Sequence, residues 1–416
     1  MNEQIKKRIE QILRGEVPEG YKHEKVGIIP QEWKVTSVGK CVREYKMLSN
    51  DVQNTPVYSS SRKGLVPQSE YYDQKEAVET NLGYKIVPQG YVTYRHMSDD
   101  DIFHFNINNT GTDILVSSEY PVFTASQRAN VGFLIPILNE TARFRYFCRT
   151  QKLGGTRTRL YFKNLEEYHM GIPPLPEQDR IAAILTTQDK VIELKEKLLA
   201  EKQRQKKYLC QQLLTGKKRL PGFGGEWKKV KLKKLLKERK KYAQKGAEFP
   251  HVTLSTTGIY PKSDRYDRDH LVKSEDKEYK ITHFGDICYN PANLKFGVIC
   301  VNTYGDAIFS PIYVTFEATA TVNIDFLSNY LMRWDFINAV RKYEEGTVYE
   351  RMAVKPEDFL KYEVLLPALN EQTAIAEILS TADQEISLLQ KSIDTEKQKK
   401  KALMQLLLTG IVRVKV

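Results

Sequence analysis

Long apolar runs are missing from this 416-residue chain. No stretch approaches the ~20 apolar residues needed to span a bilayer, so a membrane-spanning role is set aside. The opening MNEQIKKRIEQIL alternates charged and apolar residues at helical spacing, which reads as a helix and not as a secretion signal. Cysteine is sparse and unpaired. Cys41, Cys148, Cys210, Cys288 and Cys300 stand alone, no C-x-x-C spacing occurs, and an odd count cannot close into a complete disulfide framework. A reducing cytoplasm is the expected location. The seven histidines are scattered without ligand-like spacing, so no metal site is expected.

Catalytic signatures are missing as well. No G-x-x-x-x-G-K-[ST] loop marks an ATP motor, and GFGG at Gly222–Gly225 follows a helix where a dinucleotide fingerprint would follow a strand. YNPAN at Tyr289–Asn293 comes near the Asn-Pro-Pro-aromatic motif of adenine methyltransferases but lacks the second proline and the stacking aromatic. SEDKEYK at Ser274–Lys280 has the acid-plus-lysine content of some nuclease sites and reads better as a solvated charge run. No catalytic residue is nominated, and the chain is read as non-enzymatic.

Positive charge is plentiful: net +12 and a pI near 9.1. Such an excess suits nucleic acid, an acidic partner or a membrane surface. Hydrophobic residues at 41% and charged residues at 28% make an ordinary globular balance, and the length allows two to four domains.

The organising feature is a repeat. LPEQDRIAAIL runs from Leu175, and LNEQTAIAEIL runs from Leu369. At that one offset LLTG at Leu213–Gly216 falls on LLTG at Leu407–Gly410, and about half of the intervening positions agree. The same offset aligns the preceding segments more faintly. Glu32-Trp33-Lys34 falls on Glu226-Trp227-Lys228 and, with a one-residue slip, GYVTYR from Gly90 meets GDICYN from Gly285. Glycines, prolines and strand aromatics match while most other positions differ, as in two domains that share a backbone and carry different surfaces. QILRGEVPEGYK at Gln11–Lys22 resembles the QLLTGKKRLPGF that follows the first long helix. The chain thus opens with the tail of a helix whose body lies at the far end, a circular arrangement.

Each repeated segment predicts a helix of about 38 residues, ~57 Å long. Pro176 suits a first turn, Asn370 suits a cap, and Gly216 and Gly410 suit left-handed ends. Steps of four and three trace a seam along each helix. The first seam is Ile181, Leu185, Gln188, Ile192, Lys195, Leu199, Lys202, Lys206, Leu209 and Leu213. The second is Ile375, Leu379, Ala382, Ile386, Leu389, Ile393, Glu396, Lys400, Leu403 and Leu407. Pairing the two helices antiparallel as a coiled coil buries both stripes and would put the globular domains at opposite ends.

The rest reads as α+β. Runs such as YVTYRHM, FGVICVN and IYVTFEATATV are strand signals, and ARFRYFCRT and IDFLSNYLMRW are helical. The expected division is an N-terminal helical segment at 1–22, a mainly β domain with helices at 23–172, a central helix at 173–216, a second such domain at 217–366 and a C-terminal helix at 367–416. Basic and polar-aromatic residues near loops are the candidate DNA contacts. They are Arg62, Lys63, Tyr94, Arg95, Arg128, Arg157 and Arg159 in the first domain. The second offers Arg265, Arg268, Tyr289, Asn290, Lys295 and Arg351. Arginine and asparagine suit base edges, and lysine and amides near glycine suit phosphates.

This layout resembles the specificity subunit (S, or HsdS) of type I restriction–modification systems. The resemblance covers nearly the whole chain and rests on GIIPQEWKVTSVG at Gly27–Gly39, on GIPPLPEQ and VLLPALNEQ, and on the twin helices ending in LLTG. Asn370, where the first copy has Pro176, departs from the pattern and leaves helix entry intact. The resemblance implies two target-recognition domains, each reading one half of a bipartite double-stranded DNA site, with the helical pair as a ruler. It implies two methyltransferase subunits that carry S-adenosylmethionine, and restriction subunits that use ATP and Mg. It implies no cofactor on this chain. Self-association of the isolated chain is left open. Other readings are a system cutting on both sides of its site, a coiled-coil scaffold, and a stand-alone nuclease.

Overall fold

The computed structural model describes residues 3–68, 83–152, 154–244, 249–262, 278–343 and 353–414. The chain divides into two compact units, Met1–Glu196 with Ser392–Val416, and Lys197–Lys391. Each unit owns one half of each long helix, so the boundary runs through the helices and not between them and the β domains.

In the first unit, helix α1 (Glu3–Leu13) precedes a hairpin of Tyr21–Glu24 with Gly27–Pro30. A four-stranded antiparallel sheet follows, in the order Phe105–Ile107, Val92–Tyr94, Val122–Ala125, Val42–Glu44. A three-stranded sheet runs Ile114–Ser117, Tyr84–Val87, Leu48–Ser49. Helices α2 (Val131–Glu140), α3 (Ala142–Thr150) and α4 (Phe162–Glu166) close the core. Their apolar faces lay Phe133, Phe144 and Leu165 against Tyr94, Phe105 and Phe123. Edge-to-face contacts such as Phe105–Phe144 at 5.7 Å orient the rings. Each such buried ring stabilises the fold by about 1.5–3 kcal/mol. Helix α5 (Leu175–Leu213) leaves this core.

The second unit writes the same plan again. Its four-stranded sheet runs Ile299–Val301, Ile287–Tyr289, Val314–Ala318, Leu236–Glu238, and its three-stranded sheet runs Ala307–Phe309, Glu278–Thr282, Tyr242–Gln244. Helices α6 (Ile324–Leu331), α7 (Trp334–Val340) and α8 (Pro356–Lys361) stand where α2, α3 and α4 stand, and α9 (Leu369–Leu407) leaves as α5 does. Single hydrogen bonds repeat too. Tyr94 Oη donates to the Leu160 carbonyl at 3.0 Å, and Tyr289 Oη donates to that of Val354 at 2.9 Å.

The long helices pack antiparallel within each unit. In the first unit Lys400 reaches Asp189 at 2.5 Å and Lys397 reaches Glu196 at 2.7 Å. In the second, Lys206 reaches Asp383 at 2.5 Å and Lys202 reaches Glu385 at 2.7 Å. Partner numbers fall on α9 as they rise on α5, and every seam position is buried or half-buried. Three polar seam positions pair with each other. Glu396 accepts from Gln188 Nε2 at 2.7 Å and from Lys195 Nζ at 2.8 Å.

The repeated Glu-Gln explains the recurring helix entry. Gln178 accepts from the Asn130 amide, at the N-cap of α2, and donates to the Pro173 carbonyl; Gln372 does the same with Asn323 and Pro367. Glu177 and Glu371 are buried, and each takes a two-pronged pair from an arginine just past the end of the other long helix, Arg413 and Arg219 respectively. Gly410 and Gly216 turn those ends at φ +73° and +70°. The circular reading is visible in the first unit, where Arg8 donates to the Ile411 carbonyl and Tyr21 to that of Gly410. One helix start differs from expectation: α9 begins at Leu369, so Asn370 sits inside the first turn, accepting from the Glu371 amide instead of capping the helix.

The five cysteines are free. Burial pushes the Cys148 and Cys300 thiols up to about 12, so they pack as small apolar side chains.

Candidate nucleic-acid interface

In the first unit the segment Arg95–Asp101 leaves the central strand Val92–Tyr94 and crosses to meet the segment that carries Arg157 and Arg159. Met97 pairs with Arg159 and Ser98 with Thr158 as a short antiparallel ladder. The Tyr58–Ser61 and Gly64–Pro67 hairpin flanks it and carries Arg62 and Lys63 at its turn. A cavity of about 630 Å3 opens between them, lined by Ser59–Lys63, Arg95–Asp99, Ile102–His104, Ser117, Glu119 and Tyr120. Topology thus brings Arg62, Lys63 and Arg95 to one cavity, with Arg157 joined to it through Asp99 and Arg159 through its ladder partner Met97.

Three consecutive aspartates take partners here. Arg157 Nε donates to Asp99 at 2.8 Å, Arg62 pairs with Asp100, and the Thr158 hydroxyl donates to Asp101. Asp101 has φ +63°, the left-handed region, where aspartate is among the better-tolerated side chains. Burial raises the Asp100 carboxyl, but hydrogen bonds from Ser98, Arg62 and the Ile102 amide outweigh it and leave it below its usual value. The acid stays ionised and pairs with one nitrogen of the Arg62 guanidinium. Beneath lies His96, stacked on Tyr161 at 5.6 Å; burial lowers its pKa, so the ring is neutral near pH 7. These acids and His96 were not among the sequence candidates. The run of three aspartates in YRHMSDDD was the available signal, opposite a basic loop.

The remaining candidates fall elsewhere. Arg128 is exposed near the α5 entry, its carbonyl bonded to Gln178. Tyr94 and Tyr289 are core residues with no exposed ring, so neither lies on an outer face. Asn290 is buried and spends its Oδ1 on the amides of Ala292 and Asn293, a turn-forming role. Lys295 is half-buried, with its ammonium 5.2 Å from the centre of the exposed Phe296 ring. Arg265, Arg268 and Arg351 lie outside the described residues. Among the described residues no group of histidines, cysteines and acids is placed to hold a metal, and no helix is long and apolar enough to cross a membrane.

Comparison with known proteins shows what this chain is similar to. The family model described as type I restriction modification DNA specificity domain matches residues 35–203. A Methanocaldococcus jannaschii protein carrying the name putative type I restriction enzyme MjaX specificity subunit is 22% identical, covering 95% of this chain and 97% of its own. The type I restriction enzyme MjaVIII specificity subunit of that organism is 24% identical over 65% of this chain and 68% of its own. Among solved structures, the type I restriction-modification S subunit from M. genitalium matches with a TM-score of 0.55 at 10% identity, covering 90% of this chain and 96% of that one. A chain from a structure of type I R-M complex assembly and conformational transition matches at 0.54 and 14% identity, covering 92% and 99%. These structural likenesses concern the fold, and the strand order of the second unit carries the same fold beyond the matched domain. Over residues 35–203 the chain is therefore similar to the type I restriction modification DNA specificity domain, and along most of its length it is similar to a protein carrying the name of a type I specificity subunit.

Proposed function

We propose that this chain is the DNA-reading subunit of a type I restriction–modification complex, each β domain reading one half of a bipartite target and the paired helices setting the unread spacer. The observation that carries this reading is one strand order written twice with different side chains on the equivalent segment. Arg95-His96-Met97-Ser98 follows the central strand of the first unit, where Asn290-Pro291-Ala292-Asn293 follows that of the second. A shared backbone with different donors and acceptors is what two different half-sites require.

In the first unit, Arg62 and Arg157 meet DNA from fixed positions. Their aspartate partners hold one nitrogen of each guanidinium beforehand and repel a misplaced phosphate, which favours contacts that replace the whole ion pair. Lys63, Arg95 and Arg159 supply the phosphate contacts. The chain brings no catalytic group of its own. Methyl transfer and cleavage belong to two methyltransferase subunits using S-adenosylmethionine and to restriction subunits using ATP and Mg. The methyltransferases dock on the helices and recognition domains, in the cytoplasm.

The test is co-expression with the neighbouring methyltransferase gene and genome-wide mapping of methyl-adenine. A bipartite motif is expected. Arg62→Ala with Arg157→Ala should relax one half-site and spare the other, and removing two turns from either long helix should change the spacer alone. Altered half-sites at unchanged spacing would count against the reading, as would methylation without this chain.

A further inference from the structure

Because the two long helices are copies of one sequence, each could pair with its own copy in a second molecule as readily as with its sister in the same chain. Some contacts are indifferent to that choice. Asp189–Lys400 and Asp383–Lys206 are one pair written twice, so α5 against α5 would still set Asp189 opposite Lys206. One pair of equivalent seam positions reverses its charge. Where α9 has Glu396, the repeat in α5 has Lys202.

In the first unit Glu396 meets Gln188 and Lys195. The equivalent neighbours of Lys202 in the second unit are Ala382 and Leu389, and Lys202 turns instead to Glu385. Exchange the partners and the chemistry fails both ways. An α5–α5 pair sets Lys202 against Lys195 and Gln188, cation facing cation in a half-buried seam. An α9–α9 pair sets Glu396 against Glu385, with Ala382 and Leu389 beside it offering no donor. A half-buried charge left without its partner costs more than an exposed one, and seam polar groups of this kind set pairing in coiled coils.

We propose that Glu396 and Lys202, with Lys195 and Glu385 as their partners, form a pairing code by which each helix accepts its sister in the same chain and rejects its own copy. The surface that each arm presents fits one partner, the other arm. The code operates whatever DNA the chain reads.

Lys202→Glu with Glu385→Lys tests this without removing a native ion pair. Net charge is unchanged, the 202–385 pair is kept in reverse, and Lys195–Glu396 is untouched. Yet in an α5–α5 pair the new carboxylate at position 202 faces Lys195, and in an α9–α9 pair the new ammonium at position 385 faces Glu396. Differently tagged copies of the full chain are mixed after brief partial denaturation, co-purified, and sized by light scattering. Carbodiimide cross-linking then locates the contacts. The native chain should stay monomeric, with cross-links 195–396 and 202–385 inside one copy. The variant should melt within a few degrees of it and capture the second tag several-fold more, with 195–202 cross-links between copies. Lys202→Glu with Glu396→Lys, which opposes the native pairing outright, should give mainly dimers. Equal capture by native chain and first variant, or a native chain that forms 189–206 cross-links between copies, would overturn the code.

Discussion

Arg413 and Glu177 meet as a two-pronged ion pair, Nε to Oε1 at 2.7 Å and Nη2 to Oε2 at 2.9 Å, and Arg219 and Glu371 repeat it at 2.6 and 2.7 Å. Each pair fastens the tail of one long helix to the entry of the other. The surroundings differ: Trp33 Nε1 also donates to Glu177 at 3.2 Å, whereas Trp227 Nε1 is buried without a hydrogen-bond partner and its ring lies 5.6 Å from the Arg219 guanidinium.

Arg413→Ala leaves the buried Glu177 carboxylate with Trp33 as its remaining donor. Arg413 is itself partly exposed, so the expected loss is on the order of 2–3 kcal/mol, below that of a fully buried pair. In a unit of this size that lowers Tm by roughly 5–10 °C, read by differential scanning calorimetry. Arg219→Ala should cost the second unit at least as much, because Trp227 does not donate to Glu371. A loss under about 1 kcal/mol in both would show the clasps to be dispensable.

Glu396 makes the helix pairing sensitive to acid. Hydrogen bonds from Lys195 and Gln188 hold its carboxyl down to about 2, below its ordinary 4.5. A depressed folded-state pKa gives a contribution that is complete above about 4.5 and fades as pH falls toward 2. Thermal melts of the native chain should drop across that window more steeply than those of Glu396→Gln, which keeps an acceptor but does not titrate. Parallel curves for the two proteins would remove Glu396 as the cause.

Gly410 and Gly216 both require the left-handed region, but their surroundings are unequal. A Cβ at Gly410 would lie 2.6 Å from Pro30 Cδ, whereas one at Gly216 would meet Trp227 at an ordinary 3.5 Å. Gly216→Ala should therefore cost about 1 kcal/mol from backbone strain alone. Gly410→Ala should cost more, since the rigid Pro30 ring must shift. Urea titration of the two variants checks the order.

Tyr94 and Tyr289 should affect stability and leave sequence preference alone. Phe at either position keeps the packed ring and orphans a buried carbonyl, for a loss of about 1 kcal/mol. Ala opens a cavity, costing about 3–5 kcal/mol. A methylation map of Tyr94→Phe with a changed half-site would contradict the core placement.

Much of the scaffold is legible along the chain because it rests on local periodicity. The repeat, the seam positions, the helix-ending glycines and the strand runs announce themselves within a few residues of each other. The candidate interface of the first β domain is only half legible. Arg62, Lys63, Arg95, Arg157 and Arg159 stand out as cations near loops, but nothing local says that Asp99 will take Arg157 or Asp100 will take Arg62. Tyr94 misleads for the same reason: an aromatic next to an arginine looks like a contact pair, and strand alternation sends one inward and the other out.

By itself the sequence determined that this protein has two copies of one plan and two matching helices with an apolar stripe, because periodicity and repetition need no knowledge of distant partners. Only the tertiary structure decided what the recurring Glu-Gln does, which cations are already held by acids, and which partners Glu396 and Lys202 take. The physical reason is range. A side chain's partner can lie more than two hundred residues away, as Glu177 lies from Arg413, and only the folded backbone brings the two within hydrogen-bond distance.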